Sequence, residues 1–260
     1  MTIAEGLATV VQVVATASSF YVASSPYASI KEIHVNKSTG KLSAIPLLCM
    51  LLSSSMWLLY SILLRNFFPL IFTNVVYLSC VIGYLAVYYK YSNARATLHR
   101  YFFVEGVWIM SVYCYAAISP SPTTTRLEVV GIIAITCSSI MVVSPLSAIA
   151  EVLKTRSVAH LPRKLIFATW ISSGAWCLTG IILDNAFIKY PNAINFILGS
   201  LQLALFLIFP SASVAVAQSS GKGVDLDRVG LLTADPDEIS SGVDKSSQVD
   251  TYIHATHDIK

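Results

Sequence analysis

Charge is scarce in this chain. Asp, Glu, Lys and Arg together make up 12% of its 260 residues, about half the ~25% of an ordinary soluble domain. With 55% hydrophobic residues and a mean hydropathy of +0.67, the composition excludes a soluble globular domain and points to a bilayer. No basic patch lies outside the loops between apolar runs, which excludes nucleic-acid binding. Cysteine is sparse too. Cys49, Cys80, Cys114, Cys137 and Cys177 are odd in number and fall inside apolar runs, so they read as small packing residues and imply no disulfide framework. The first apolar run lacks a positive leader and carries Glu5, which makes it a retained helix and not a signal peptide.

What is present is a series of apolar runs, each near the roughly 20 residues needed to cross a bilayer. Seven spans are expected, at 6–29, 42–64, 67–89, 101–118, 127–152, 165–183 and 191–217. The loops after the first, third and fifth hold three, three and four Lys or Arg. The other three hold only Arg65, Arg126 and Lys189. Positive charge stays on the cytosolic side, so the N-terminus is expected outside and the C-terminus in the cytosol. Residues 218–260 are polar and acidic and are expected to be a disordered cytosolic tail. Its His254 and His257 lack further ligands, so no metal site is expected there, and no cofactor is implied.

The chain repeats itself. Shifted by 119 positions, residues 25–68 fall on 144–187 with 14 of 44 identical, against roughly three or four by chance. Such a repeat takes precedence over any local feature. Spans one to three (6–89) and five to seven (127–217) are the two copies. Three spans are an odd number, so a linker helix within 90–126 must cross the membrane for both copies to face the same way. The fold class is therefore an all-α membrane protein of seven transmembrane helices, two parallel three-helix repeats joined by a linker helix.

The matched residues are candidates for a site on the symmetry axis. Trp57 and Trp176 lie near mid-depth, deeper than the usual interfacial belt. They are either packed aromatics or two flat faces on which a ring-shaped ligand lies. Ser53 and Ser172, one turn earlier on the same faces, serve either close helix approach or a ligand hydroxyl. Asn74 and Asn192 either bond between helices or offer donors and acceptors to a ligand. Aromatics and amides without charge suit a neutral polyhydroxylated ring.

Pro26 and Pro145 sit near the cytosolic ends of spans one and five, and Pro46 and Pro162 near the starts of spans two and six. Proline kinks helices and frees carbonyls, so these are ordinary kinks or matched hinges around an inner gate. Arg65 and Asp184 are at matching outer ends, with Tyr60 one turn inside Arg65, as an outer gate or a solvated rim. Ion and proton relays use Asp, Glu or His at depth. Apart from Glu128 and Glu151, each one residue from an end of the fifth span, only Glu105 falls within a span, which disfavours a proton-coupled pump.

These motifs resemble the SWEET (MtN3/saliva-type) sugar transporters over roughly residues 8–215. The resemblance rests on Ser-Pro ending span one, Lys-Ser-Thr in the loop, an early proline in span two, Trp-x-x-Tyr and the span-three Asn. In the second copy it rests on Ser-Pro-Leu, Arg-Ser-Val, Leu-Pro, Trp176, Asp184 and Pro191-Asn192. Parallel repeats about an axis along the membrane normal are a known property of that family. The resemblance implies a bidirectional facilitative uniporter for mono- or disaccharides, glucose favoured, working by alternating access. It implies a plasma-membrane protein with a sugar substrate, no enzymatic activity and a possible homo-oligomer.

By resemblance, Trp57, Trp176, Asn74 and Asn192 would form the sugar site, with Ser53 and Ser172 beside it and Ser19, Val22, Cys137 and Ile140 lining the same pocket. Pro26, Pro46, Pro145 and Pro162 would form the inner gate, and Tyr60, Arg65 and Asp184 the outer gate. The chain departs from the family pattern at Ser61, Thr179, Asn195 and Phe196, which bears on pocket size. A PQ-loop-type carrier of another small metabolite would have Pro-Gln where Pro26-Tyr27 and Pro145-Leu146 stand. A seven-helix receptor would lack parallel repeats.

Overall fold

Matched proline positions break the first helix of each copy, and the architecture follows from those breaks. The computed structural model describes residues 3–159 and 161–209, apart from the side chains of Met141, Val143 and Ser144. The expected acidic tail, with His254 and His257, and the last residues of the seventh span lie outside the described residues.

In the first copy α1 (Ile3–Ala23) stops at Ser24–Pro26 and the chain continues as α2 (Tyr27–Asn36). Pro26 has no N–H to donate, and the Val22 carbonyl it would have met four residues back accepts instead from Ser25. The basic stretch expected as a loop from residue 31 is therefore helical as far as Asn36. The second copy repeats the device three residues earlier. There α6 (Thr123–Ser139) tightens through a 3₁₀ turn at Ile140–Val142 into α7 (Val143–Thr155), which carries Pro145 in its first turn.

The second spans are α3 (Ile45–Leu63) and α8 (Arg163–Ile182). Pro46 lies in the first turn of α3 and Pro162 immediately precedes α8. At a helix start the missing N–H costs nothing, so this pair begins helices and kinks neither, which corrects the reading of all four as kinks.

The third spans are α4 (Phe72–Tyr91) and α9 (Ala186–Ile208). Asn66 and Asn185, 119 apart, open them, each accepting a backbone N–H on its side-chain oxygen. Asn66 reaches Leu70, four residues on, through a π-helical turn at Phe67–Ile71. Asn185 reaches Ile188, three residues on. The extra residue in the first copy explains why Asn74 and Asn192 match at 118 positions and not 119. Asn185 also starts α9 five residues before the expected 191, with Pro191 inside the helix. The fourth span is α5 (Arg95–Ile118).

Six of these stretches are long and apolar enough to cross a membrane among the described residues. The seventh, 123–155, is divided by its 3₁₀ turn. The protein is thus an all-helical membrane protein of 3+1+3 architecture. Within each copy the third helix packs between the first and the second: α4 against α1 and α3, and α9 against α6, α7 and α8. Across the copies, α1 packs on α8 and α3 on α6. Each first helix thus lies against the second helix of the other copy. Helix α5 rests on α3 and α6, touching one member of each repeat.

The copies share backbone detail at their helix ends. Lys37 and Arg156 take left-handed conformations after α2 and α7, as do Arg65 and Asp184 after α3 and α8. Left-handed backbone is disfavoured for such side chains, yet it recurs at both pairs separated by 119 positions.

Candidate functional site

A cavity of about 190 Å³ lies between the repeats, lined by Ser19 of α1, Met50, Ser53, Ser54 and Trp57 of α3, Leu70, Thr73, Asn74 and Tyr77 of the third span, Trp176 of α8, and Ile188 and Asn192 of α9. A dry cavity of about 150 Å³ admits benzene, so this one has room for a six-membered ring. No charged residue is among the described residues that line it.

The two tryptophans are held by a crossed pair of hydrogen bonds. Trp57 Nε1 donates to Ser138 Oγ of α6 at 2.7 Å, and Ser138 Oγ lies 2.9 Å from Ser53 Oγ. Trp176 Nε1 donates to Ser19 Oγ of α1 at 2.7 Å, and Ser19 Oγ lies 3.4 Å from Ser172 Oγ. Each indole is thereby fixed by a serine of the opposite repeat, and its N–H is satisfied within the protein. What remains for a ligand is the ring face. Thr16 and Thr73 add a third hydroxyl contact, at 3.1 Å, between α1 and α4.

The two asparagines also match. Asn74 Nδ2 donates to the Leu70 carbonyl at 2.9 Å and to Ser61 Oγ at 3.3 Å. Asn192 Nδ2 donates to the Ile188 carbonyl at 2.8 Å. Each bond to the carbonyl one turn back fixes an amide on the cavity wall, with its carbonyl oxygen an acceptor for ligand hydroxyls. Neither amide bonds to the other.

Six residues named from the sequence therefore meet at one cavity: Ser19, Ser53, Trp57, Asn74, Trp176 and Asn192. Ser172 stands behind them against Ser19. Val22, Cys137 and Ile140 are not among the lining residues. Cys137 is buried in the interface with Met56, Leu59 and Val130, while Ile140 falls on the 3₁₀ turn and is 56% exposed. The residue of that segment that engages the site is Ser138, which the sequence reading passed over. It lies 119 positions after Ser19, so the repeat alone pointed to it. Asn195 and Phe196 do not line the cavity. Phe196 stacks on Trp170 with ring centroids 5.1 Å apart, and Asn195 faces a separate groove.

At the end of the bundle away from the basic loops, Tyr60 is 2% exposed. Its hydroxyl donates to Asn185 Oδ1 at 3.0 Å and accepts from Asn185 Nδ2 at 2.7 Å, joining the two repeats. Its ring meets Trp57 edge-on and Phe187 at a tilt. Arg65 and Asp184 are exposed helix-end residues, with no ion pair between them among the described residues. The partner of Tyr60 is the neighbour of Asp184. Thr179 holds the matching position in α8, where its hydroxyl turns back to the Ala175 carbonyl, so only one copy makes this reach.

At the basic end the four prolines are half-buried (Pro26, Pro145) or exposed (Pro46, Pro162). The kink carbonyl of Ala23 accepts from Tyr84 of α4 at 3.1 Å. Its counterpart is a longer contact of 3.5 Å from Gln202 of α9 to the Pro145 carbonyl. The break in the first copy is tied to its third helix more closely than that in the second.

The duplicated chain has its parallel in known proteins. The family model described as sugar efflux transporter for intercellular exchange matches the chain twice, at residues 9–96 and 128–213. The chain belongs to that family. Among SWEET relatives, sugar transporter SWEET1 of Drosophila pseudoobscura pseudoobscura is 29% identical over 191 residues, 73% of this chain and 82% of that protein. Bidirectional sugar transporter SWEET11 of Oryza sativa subsp. japonica is 26% identical over 227 residues, 83% of this chain and 74% of that one. Bidirectional sugar transporter N3 of Medicago truncatula is 31% identical over 199 residues, 74% and 72%. The solved structure of a eukaryotic SWEET transporter superposes with a TM-score of 0.68 at 23% identity, covering 77% of this chain and 95% of that one, a likeness of fold. The two SWEET family matches begin and end within a few residues of the two triplets and leave α5 largely unmatched.

Proposed function

We propose that this chain is a bidirectional facilitative sugar uniporter working by alternating access. The observation that carries the proposal is the uncharged cavity between the repeats, walled by Trp57, Trp176, Asn74 and Asn192. Apolar ring faces stack on aromatic faces, amide oxygens accept from hydroxyls, and neither interaction asks for a co-transported ion. The names of the relatives, sugar transporters from insects and plants, support the same substrate class. A cavity of 190 Å³ favours a monosaccharide such as glucose in this arrangement.

The Tyr60–Asn185 bond joins the repeats at one end, while Pro46 and Pro162 stand exposed at the other. That contrast supports an arrangement closed on the Tyr60 side and open on the basic side. In the alternating cycle the Tyr60 contact would part as the proline ends close, with Pro26 and Pro145 as hinges and Arg65 and Asp184 at the outer rim. The charge bias of the loops supports an external N-terminus and a cytosolic C-terminus in the plasma membrane. The exposed apolar face of α5 allows a homo-oligomer.

The test is uptake of labelled glucose and, separately, sucrose in cells lacking their own carriers, at two pH values, with and without a protonophore. Glucose uptake insensitive to both, and abolished in Trp176→Ala with surface expression intact, is the expected result. Uptake that collapses with the proton gradient would overturn the uniport mechanism. Normal transport by Trp176→Ala would overturn the site.

A further inference from the structure

A groove of about 650 Å³ runs along the outer surface of α8 and α9, away from the cavity between the repeats. Its long wall is apolar, with Phe167, Trp170, Phe206 and Leu207, and its basic end carries Arg163 and Lys164. Phe167 stacks on Trp170 at 5.8 Å, and Trp170 on Phe196 at 5.1 Å. Trp170 Nε1 donates to Ser200 at 2.9 Å, which satisfies its polar atom inside the protein and fixes the ring as a wall. The Arg163 guanidinium lies over the Phe206 ring, 5.6 Å from its centroid. Both basic side chains are exposed, and neither makes an ion pair among the described residues.

The first repeat has no equivalent. In the 119-residue register that carries the end of α3 onto the end of α8, the positions of Arg163 and Lys164 are taken by Ala44 and Ile45, neither of them charged. The helix start therefore does not require basic residues.

We propose that this groove binds one anionic phospholipid, its phosphate on Arg163 and Lys164 and an acyl chain along Phe167, Trp170 and Leu203. The groove has the two-part chemistry of such a lipid: cationic donors at the membrane surface, then an apolar channel running toward the bilayer interior. Basic pockets between membrane helices bind anionic head groups through this combination. Zwitterionic lipid offers the same chain without net charge, so charge selects the occupant. The inference rests on membrane embedding alone and is independent of the transported substrate.

The test uses the full chain carrying Trp108→Phe, to remove the other lipid-exposed indole, reconstituted in vesicles. Trp170 fluorescence is quenched by phosphatidylserine or phosphatidylcholine brominated on the acyl chain. Stronger quenching by the serine lipid is expected, with the preference falling on the order of tenfold in Arg163→Gln/Lys164→Gln, as two basic groups at a membrane surface allow. Lys31→Gln/Lys41→Gln, at the same end of the first repeat, should leave the preference unchanged. Helicity and elution volume confirm that each variant folds. Equal quenching by both lipids in the parent protein would overturn the proposal. So would a preference lost equally in the Lys31/Lys41 variant, which would mean a diffuse surface field. Quenching by neither lipid would also overturn it, since a protein surface, such as a second copy, would then cover the groove.

Discussion

Tyr60 of the first repeat exchanges two hydrogen bonds with Asn185 of the second, at 3.0 and 2.7 Å, and this bridge has no symmetric mate. Thr179, at the matching position in the second repeat, is too short to reach and bonds to its own helix. In the first repeat Asn66, the counterpart of Asn185, caps the third span with no tyrosine against it. One phenol, not two, therefore ties these ends of the two repeats together.

Tyr60→Phe keeps the ring packing and removes both bonds. Each neutral bond contributes about 1 kcal/mol, so the outer end should open more often, by a factor on the order of five or more. The measurement is modification of Ile188→Cys, in a cysteine-free background, by a membrane-impermeant thiol reagent applied from outside. An unchanged rate would mean that the phenol does not hold the outer end.

Ser138→Ala leaves the Trp57 indole N–H without its partner. Because Ser19 plays the same part for Trp176, Ser19→Ala should behave alike, each raising the half-saturation concentration for sugar severalfold with little loss of protein at the membrane. Concentration-dependent uptake decides it. An effect from Ser19→Ala alone would show that the two indoles are not equivalent in function.

Gly180 is where α8 meets the first turns of α9. A Cβ built there would lie 2.5 Å from the Lys189 backbone nitrogen, which cannot retreat as a flexible side-chain end could. Gly180→Ala should destabilise the second repeat by about 1–3 kcal/mol. Thermal unfolding in detergent should show a Tm lower by several degrees. A wild-type Tm would mean that the helices separate without cost.

Asn36-Lys37-Ser38 is a glycosylation sequon in the first basic loop, with Asn36 ending α2 and Lys37 in the left-handed turn after it. If that loop faces the cytosol it stays unmodified, which a glycosidase shift assay on the expressed protein reads directly. A glycan at Asn36 would invert the orientation.

The spans, the repeat and the family were legible in the amino-acid string because each rests on local or periodic information. Apolar runs near 20 residues, Lys and Arg on alternate loops and a 119-residue self-match survive any ignorance of packing. The paired tryptophans, asparagines and Ser53 were legible for the same reason, since symmetry brings duplicated residues toward one axis. Ser138 was equally written there, 119 positions after Ser19, but a lone serine in an apolar run gives no sign of its partner.

Tertiary structure decided the rest. Cys137 and Ile140 were expected at the pocket, yet Cys137 is buried with Met56, Leu59 and Val130, Ile140 falls on the 3₁₀ turn, and of this segment Ser138 is the residue that bonds to an indole of the cavity. Tyr60 was expected with Arg65 and Asp184, but it bonds to Asn185 because the left-handed backbone at Asp184 ends α8 and lets Asn185 open α9. Composition determined that the chain belongs in a membrane, and repetition determined that it has a centre. Which side chains meet at that centre was decided by helix rotation and helix ends, which depend on contacts between segments 81 to 157 residues apart.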